Sequence, residues 1–174
     1  MKAAINGMNI KMESKKLSHF NKHGEAHMVD VGSKAVTNRK AVASGKIFMN
    51  KKAFETILAG KIEKGDVLSV ARIAAIQGSK QTSFLIPLCH PIAISHIDIE
   101  FKNYPSSLSI ELIVTCLSES KTGVEMEALT AVSIGLLTVY DMGKSIDKNM
   151  RIGEICLLLK DGGKSGRWER PQVF

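Results

Sequence analysis

Between Lys121 and Lys144 the chain reads KTGVEMEALTAVSIGLLTVYDMGK, a helix-length segment with an apolar body and charges at its ends. Val124, Met126, Leu129, Val132, Ile134, Leu136, Leu137 and Val139 make it apolar on nearly all sides, as expected of a helix buried in a domain or a subunit contact. Gly123 allows a tight entry, and Gly143 reads as a fraying last turn. Glu127 near one end and Asp141 near the other are therefore candidates for more than surface charge. Their spacing returns them almost to one helical face, yet the rise separates them by about 21 Å. One small reacting group cannot touch both within a single chain.

The segments around this helix follow a regular order. Residues 27–31 and 39–49 read as extended, and Asn50 is placed to cap a short helix over 51–59 that Gly60 stops. Asp66 reads as the cap of a second helix, with Val67, Val70, Ile73, Ala74 and Gln77 at helical spacing and Pro87 beyond its end. Residues 92–102 and 108–117, separated by the turn-rich NYPSS, form a hairpin pattern, and residues 152–160 close the series as a final strand. The order β-α-β-β-α-β predicts an α+β, ferredoxin-like split βαβ fold, with helices packed on one face of an antiparallel sheet.

A chain of 174 residues with 44% hydrophobic content is long enough for one core without staples. Residues 22–166 read as a single domain, and residues 167–174 as a C-terminal tail. Of the net charge of +7, residues 1–22 supply +4 through five lysines and one acid. Residues 1–21 lack periodicity and are expected to be a disordered tail. No apolar run approaches the roughly 18 residues that span a bilayer, and no secretory signal is visible, so a cytoplasmic protein is expected. Cys89, Cys116 and Cys156 are odd in number and lack CxxC spacing, which argues for reduced thiols rather than disulfides or structural zinc.

Several side chains could carry chemistry. Lys64 lies just before the Asp66 cap, where it is either part of an anion site at a helix N-terminus or a solvated lysine in a KGD turn. KDGGKSG at 160–166 is not a Walker A loop, because Leu158 stands where that motif requires glycine. It is either a backbone cradle for phosphate or a flexible tail. LCHP at 88–91 puts His90 between a helix and a strand, as a functional or a structural histidine, and Cys89 reads as a small core residue. His27 beside Glu25 is equally open, and no metal-ligand spacing is identifiable. Asp141 and Lys144 stand one turn apart, either as a surface ion pair or as a proton-trading pair in a partly dry pocket.

Taken together, GEAHMVDV, KGDVLSVARIAAIQGSK, LIPLCHP, KTGVEMEALTA, YDMGK and KDGGKSG resemble the molybdenum-cofactor biosynthesis protein C family, the cyclic pyranopterin monophosphate synthases. The likeness runs from about Gly24 to Gly166. It implies a homohexamer built as a trimer of dimers with active sites at a dimer interface, acting on 3′,8-cyclo-7,8-dihydro-GTP and releasing pyrophosphate. It implies Asp141, Lys144 and Lys64 as catalytic residues. Leu88, Cys89, His90, Met126 and Glu127 would contact substrate, with Glu125, Arg39, Lys160 and Lys164 at polar pocket positions. No cofactor is required by the resemblance, and a divalent cation is allowed as escort of the triphosphate. The partner implied is a nucleotide-derived small molecule, with no nucleic acid and no membrane. An RNA-binding module of this architecture would stack bases on central-strand aromatics, and residues 108–117 contain none.

Overall fold

The computed structural model describes residues 24–62 and 65–171. The expected N-terminal tail, residues 1–21, lies outside them, as do Glu63 and Lys64. In chain order the elements are β1 (Thr37–Phe48), α1 (Lys51–Leu58), α2 (Val67–Lys80), α3 (Thr82–Leu85), β2 (Ile94–Tyr104), β3 (Ser109–Ser120), α4 (Glu125–Gly143), β4 (Arg151–Asp161) and β5 (Trp168–Glu169). The sheet order is β2-β3-β1-β4-β5 and every pairing is antiparallel. Strands β1 to β4 thus have the split βαβ connectivity expected, with β5 added at an edge.

Both proposed helix caps are made. Asn50 Oδ1 accepts from the backbone N–H of Ala53 at 2.8 Å, and Asp66 Oδ1 accepts from Leu68 and Ser69. These bonds satisfy amide donors that have no partner within the helix. The strand alternation then decides which face is covered: Ala41, Ala43 and Ile47 of β1 are buried with Ile110, Leu112, Val114 and Cys116 of β3. Against them α4 sets Ala128, Ala131, Val132, Leu136 and Val139, and α2 packs along α4 with Val67, Ala71 and Ala75. Leu112 and Leu136 are fully buried, so truncating either to alanine costs about 2–5 kcal/mol.

Four details differ from the sequence reading. The apolar pattern after Asp66 is two helices, because the chain turns at Gln81 and restarts as the single turn α3. No regular strand forms over residues 27–31; a lone bridge sits at Ala26. The last turn of α4 is not frayed: Lys144 N donates to Tyr140 O at 2.9 Å, and Gly143 is buried against Met150 and Ile57. The segment after β4 turns back as β5, where Trp168 pairs with Lys160 and Arg170 N reaches Leu158 O at 2.8 Å.

Candidate active site

The loop after α3 and the first turn of α4 face one another. Between them lies a cavity of about 320 Å³, lined by Leu88, Cys89 and His90 on one side and by Met126 and Glu127 on the other. Residues 27, 29 and 31 are part-buried while their neighbours are exposed, and Val29 and Val31 close the cavity wall. His27 belongs to the same inward row, and its Nδ1 is buried without a hydrogen-bond partner. Cys89 sits at the cavity rather than in the core: it is only partly buried, and burial, followed by the negative charge of Glu127, pushes its thiol pKa up.

Glu127 is the unusual group here. It is 3% exposed, and its Oε2 has no hydrogen-bond partner. Desolvation pushes its carboxyl up to about 7; its own backbone N–H pulls the other way, and the charge of Glu125 adds to the rise. A carboxyl so placed is poised to hold or release a proton near neutrality.

A second cavity, about 770 Å³, adjoins the first. It is bounded by Arg39 at the start of β1, Lys160 near the end of β4, Lys164 and Ser165 in the glycine loop, and Lys121 before α4. With Lys34 it carries five cationic side chains and one carboxylate, Glu125. Arg39 Nε donates to Ser120 O at 3.3 Å, and Lys160 Nζ donates to Ser165 Oγ. Gly162 and Gly163 have φ of +99° and +73°, and a Cβ at Gly163 would collide with the Arg39 guanidinium. The glycines therefore let bare backbone lie against Arg39, which keeps the positive groups together. Such a cleft attracts a multiply charged anion.

Asp141 and Lys144 are elsewhere, at the far end of α4. Lys144 Nζ lies 2.6 Å from Asp141 Oδ1, and this hydrogen bond is the first cause of a raised lysine pKa. The partly dry pocket, one of the two readings of this pair, is not supplied by one chain: the Lys144 and Asp141 side chains are 51% and 60% exposed, although Met142 and Gly143 beside them are buried. Lys64 lies outside the described residues. The structure thus brings together Arg39, Leu88 to His90, Glu125 to Glu127, Lys160 and Lys164, and sets Asp141 and Lys144 apart. The sequence reading did not single out Lys34 or Lys121 as site residues, whereas Ser165 belongs to the glycine-rich segment read as a candidate phosphate cradle. For Lys34 the only local signal was the DVGSK turn, which has no periodicity to place it.

Comparison with known proteins gives this arrangement a family. The MoaC family model matches residues 28–163. A cyclic pyranopterin monophosphate synthase of Chloroflexus aurantiacus is 51% identical over 156 residues, covering 90% of this chain and 96% of the relative. The protein of the same name from Campylobacter lari is 53% identical over 154 residues, covering 88% of this chain and 98% of the relative. That from Campylobacter jejuni is 52% identical over 155 residues, covering 89% and 99%. With matches of this length and identity, the chain belongs to the MoaC family.

Proposed function

We propose that this chain is a cyclic pyranopterin monophosphate synthase of molybdenum cofactor biosynthesis, converting 3′,8-cyclo-7,8-dihydro-GTP to cyclic pyranopterin monophosphate and pyrophosphate. The observation that carries the reading is one cleft with two unlike lobes. The lobe of His90 and buried Glu127 suits a heterocycle bearing N–H and carbonyl groups, and the lobe with five cations suits a triphosphate. Rearranging the purine into a pyranopterin needs acids and bases, a role for Asp141, Lys144 and Lys64 beside His90 and Glu127. Closing the cyclic phosphate expels pyrophosphate, whose charge Arg39, Lys160 and Lys164 would stabilise. No cofactor is required in this scheme, and a divalent cation can accompany the triphosphate.

The axial distance of about 21 Å between Glu127 and Asp141 requires two chains per pocket if both groups serve one substrate. A two-fold dimer would bring the Glu127 end of one α4 toward the Asp141 end of its partner. The outer side of the helical layer suits such a contact, since Ile73, Phe84, Leu85 and Leu137 are 65%, 83%, 53% and 55% exposed. Three such dimers make the proposed homohexamer, placed in the cytoplasm. Among the described residues no helix is long and apolar enough to cross a membrane. Supplying the purified chain with the cyclic dihydro-GTP should yield cyclic pyranopterin and pyrophosphate in equal amounts. Pyrophosphate without the pterin, or neither product, would sink the assignment.

A further inference from the structure

Four residues line both lobes of the cleft: Lys34, Thr122, Gly123 and Glu125. They form the junction through which any ligand occupying both lobes must pass. In a ligand with its ring and ribose in one lobe and its outer phosphates in the other, the group at the junction is the α-phosphate. Lys34 and Glu125 are the charged residues there, and only Lys34 is of the sign that attracts phosphate. Its loop is built rather than slack. Asp30 Oδ1 accepts from Gly32 N at 2.7 Å, Lys34 N donates to Val31 O at 3.1 Å, and Lys121 Nζ donates to Gly32 O at 2.5 Å. The Lys121 ammonium is thereby engaged in holding the loop, whereas Lys34 forms no salt bridge among the described residues. Opposite it, a Cβ on Gly123 would overlap the Glu125 carboxylate, so the bare glycine lets that carboxylate fold back beside the junction.

We infer that Lys34 is a further catalytic residue, binding the α-phosphate and stabilising the charge that builds there during cyclisation; this rests on the synthase reading above. In that step the ribose oxygen forms a bond to the α-phosphorus while the bond from that phosphorus to the pyrophosphate bridging oxygen breaks. Pyrophosphate leaves with the bonding pair, and the hydroxyl proton is given up to water. A lysine aimed at the non-bridging oxygens gains most as negative charge concentrates on them, so it lowers the barrier more than it tightens ground-state binding.

Steady-state kinetics of the full chain and its Lys34→Ala and Lys34→Arg variants test this, following cyclic product and pyrophosphate together with thermal unfolding. Lys34→Ala should lose about 10²–10³-fold in kcat, with a smaller change in KM and an unchanged melting temperature. Lys34→Arg, which keeps the charge, should regain a substantial part of that loss. A Lys34→Ala enzyme with near-normal kcat, or one altered in KM alone, overturns the inference. An unaltered chain that makes no cyclic product overturns the synthase reading itself, and with it the role assigned to Lys34.

Discussion

The two ends of α4 hold carboxylates in opposite circumstances. Glu127, in the first turn, is 3% exposed and its Oε2 lacks a partner; Asp141, about four turns later by helical pitch, is 60% exposed and bonded to Lys144. One end is enclosed by its own chain, against Leu88, Cys89 and His90, and the other is turned outward. Burial makes the first carboxyl a near-neutral acid, while the second lies in solvent against the Lys144 ammonium. The contrast teaches that one helix can hold two carboxylates in environments suited to different work, one enclosed by its own chain and one open to solvent.

The largest effect is expected at the exposed end. Asp141→Ala and Lys144→Ala should each lower turnover by about 10²–10⁴-fold, the range for losing a general acid or base. Because the pair is exposed, melting temperature should barely move. Lys64→Ala should be nearly inactive as well. Near-normal turnover by folded Asp141→Ala would reduce the pair to a surface ion pair and break the contrast.

Mixing tests whether the two ends meet across chains. Glu127→Ala and Asp141→Ala, unfolded together and reassembled, should form mixed dimers in about half of cases. Each would hold one intact and one doubly damaged site, restoring about a quarter of all sites. No recovery, with mixed dimers verified by mass, would place both groups in one chain's site.

The smallest effect sharpens the buried end. Since folding raises the Glu127 pKa from 4.5 to about 7, its contribution is fully favourable below about pH 4.5 and is lost as pH rises toward 7. Glu127→Gln should match the parent chain in stability at pH 4 and exceed it at pH 8 by on the order of 3 kcal/mol. Denaturant titrations at the two pH values measure this. A variant less stable at pH 8 would mean that the charged carboxylate has a stabilising partner in the assembled protein.

What could be read from the sequence was whatever local chemistry repeats. Asn50 and Asp66 announced their helices because a cap is a local device, and the hairpin around NYPSS followed from alternation. The motifs behind the resemblance name Arg39, His90 and Glu127, which line the two cavities, but not the exposure of Asp141 and Lys144, which depends on what packs against the end of α4. The turn at Gln81 escaped because Thr82 to Leu85 continue the helical composition of the preceding segment. Lys34 escaped for a different reason: its place at the junction is set by an Asx turn and by a bond from Lys121, a residue 89 positions from Gly32.

The position of β1 has a consequence for how the chain is made. This 12-residue strand is synthesised first among those of the sheet, yet it lies in the middle, with Thr37 paired to Ser120 and Lys40 to Asp161. At about 5–20 residues per second, the ribosome needs roughly 5–20 s to travel from Phe48 to the start of β4. Through that interval β1 has at least one unfilled edge, an invitation to pair with other nascent chains. Its own sequence, TNRKAVASGKIF, answers with Arg39, Lys40 and Lys46, charges that discourage such pairing. Solubility during synthesis is therefore written into the same strand that later divides the finished sheet.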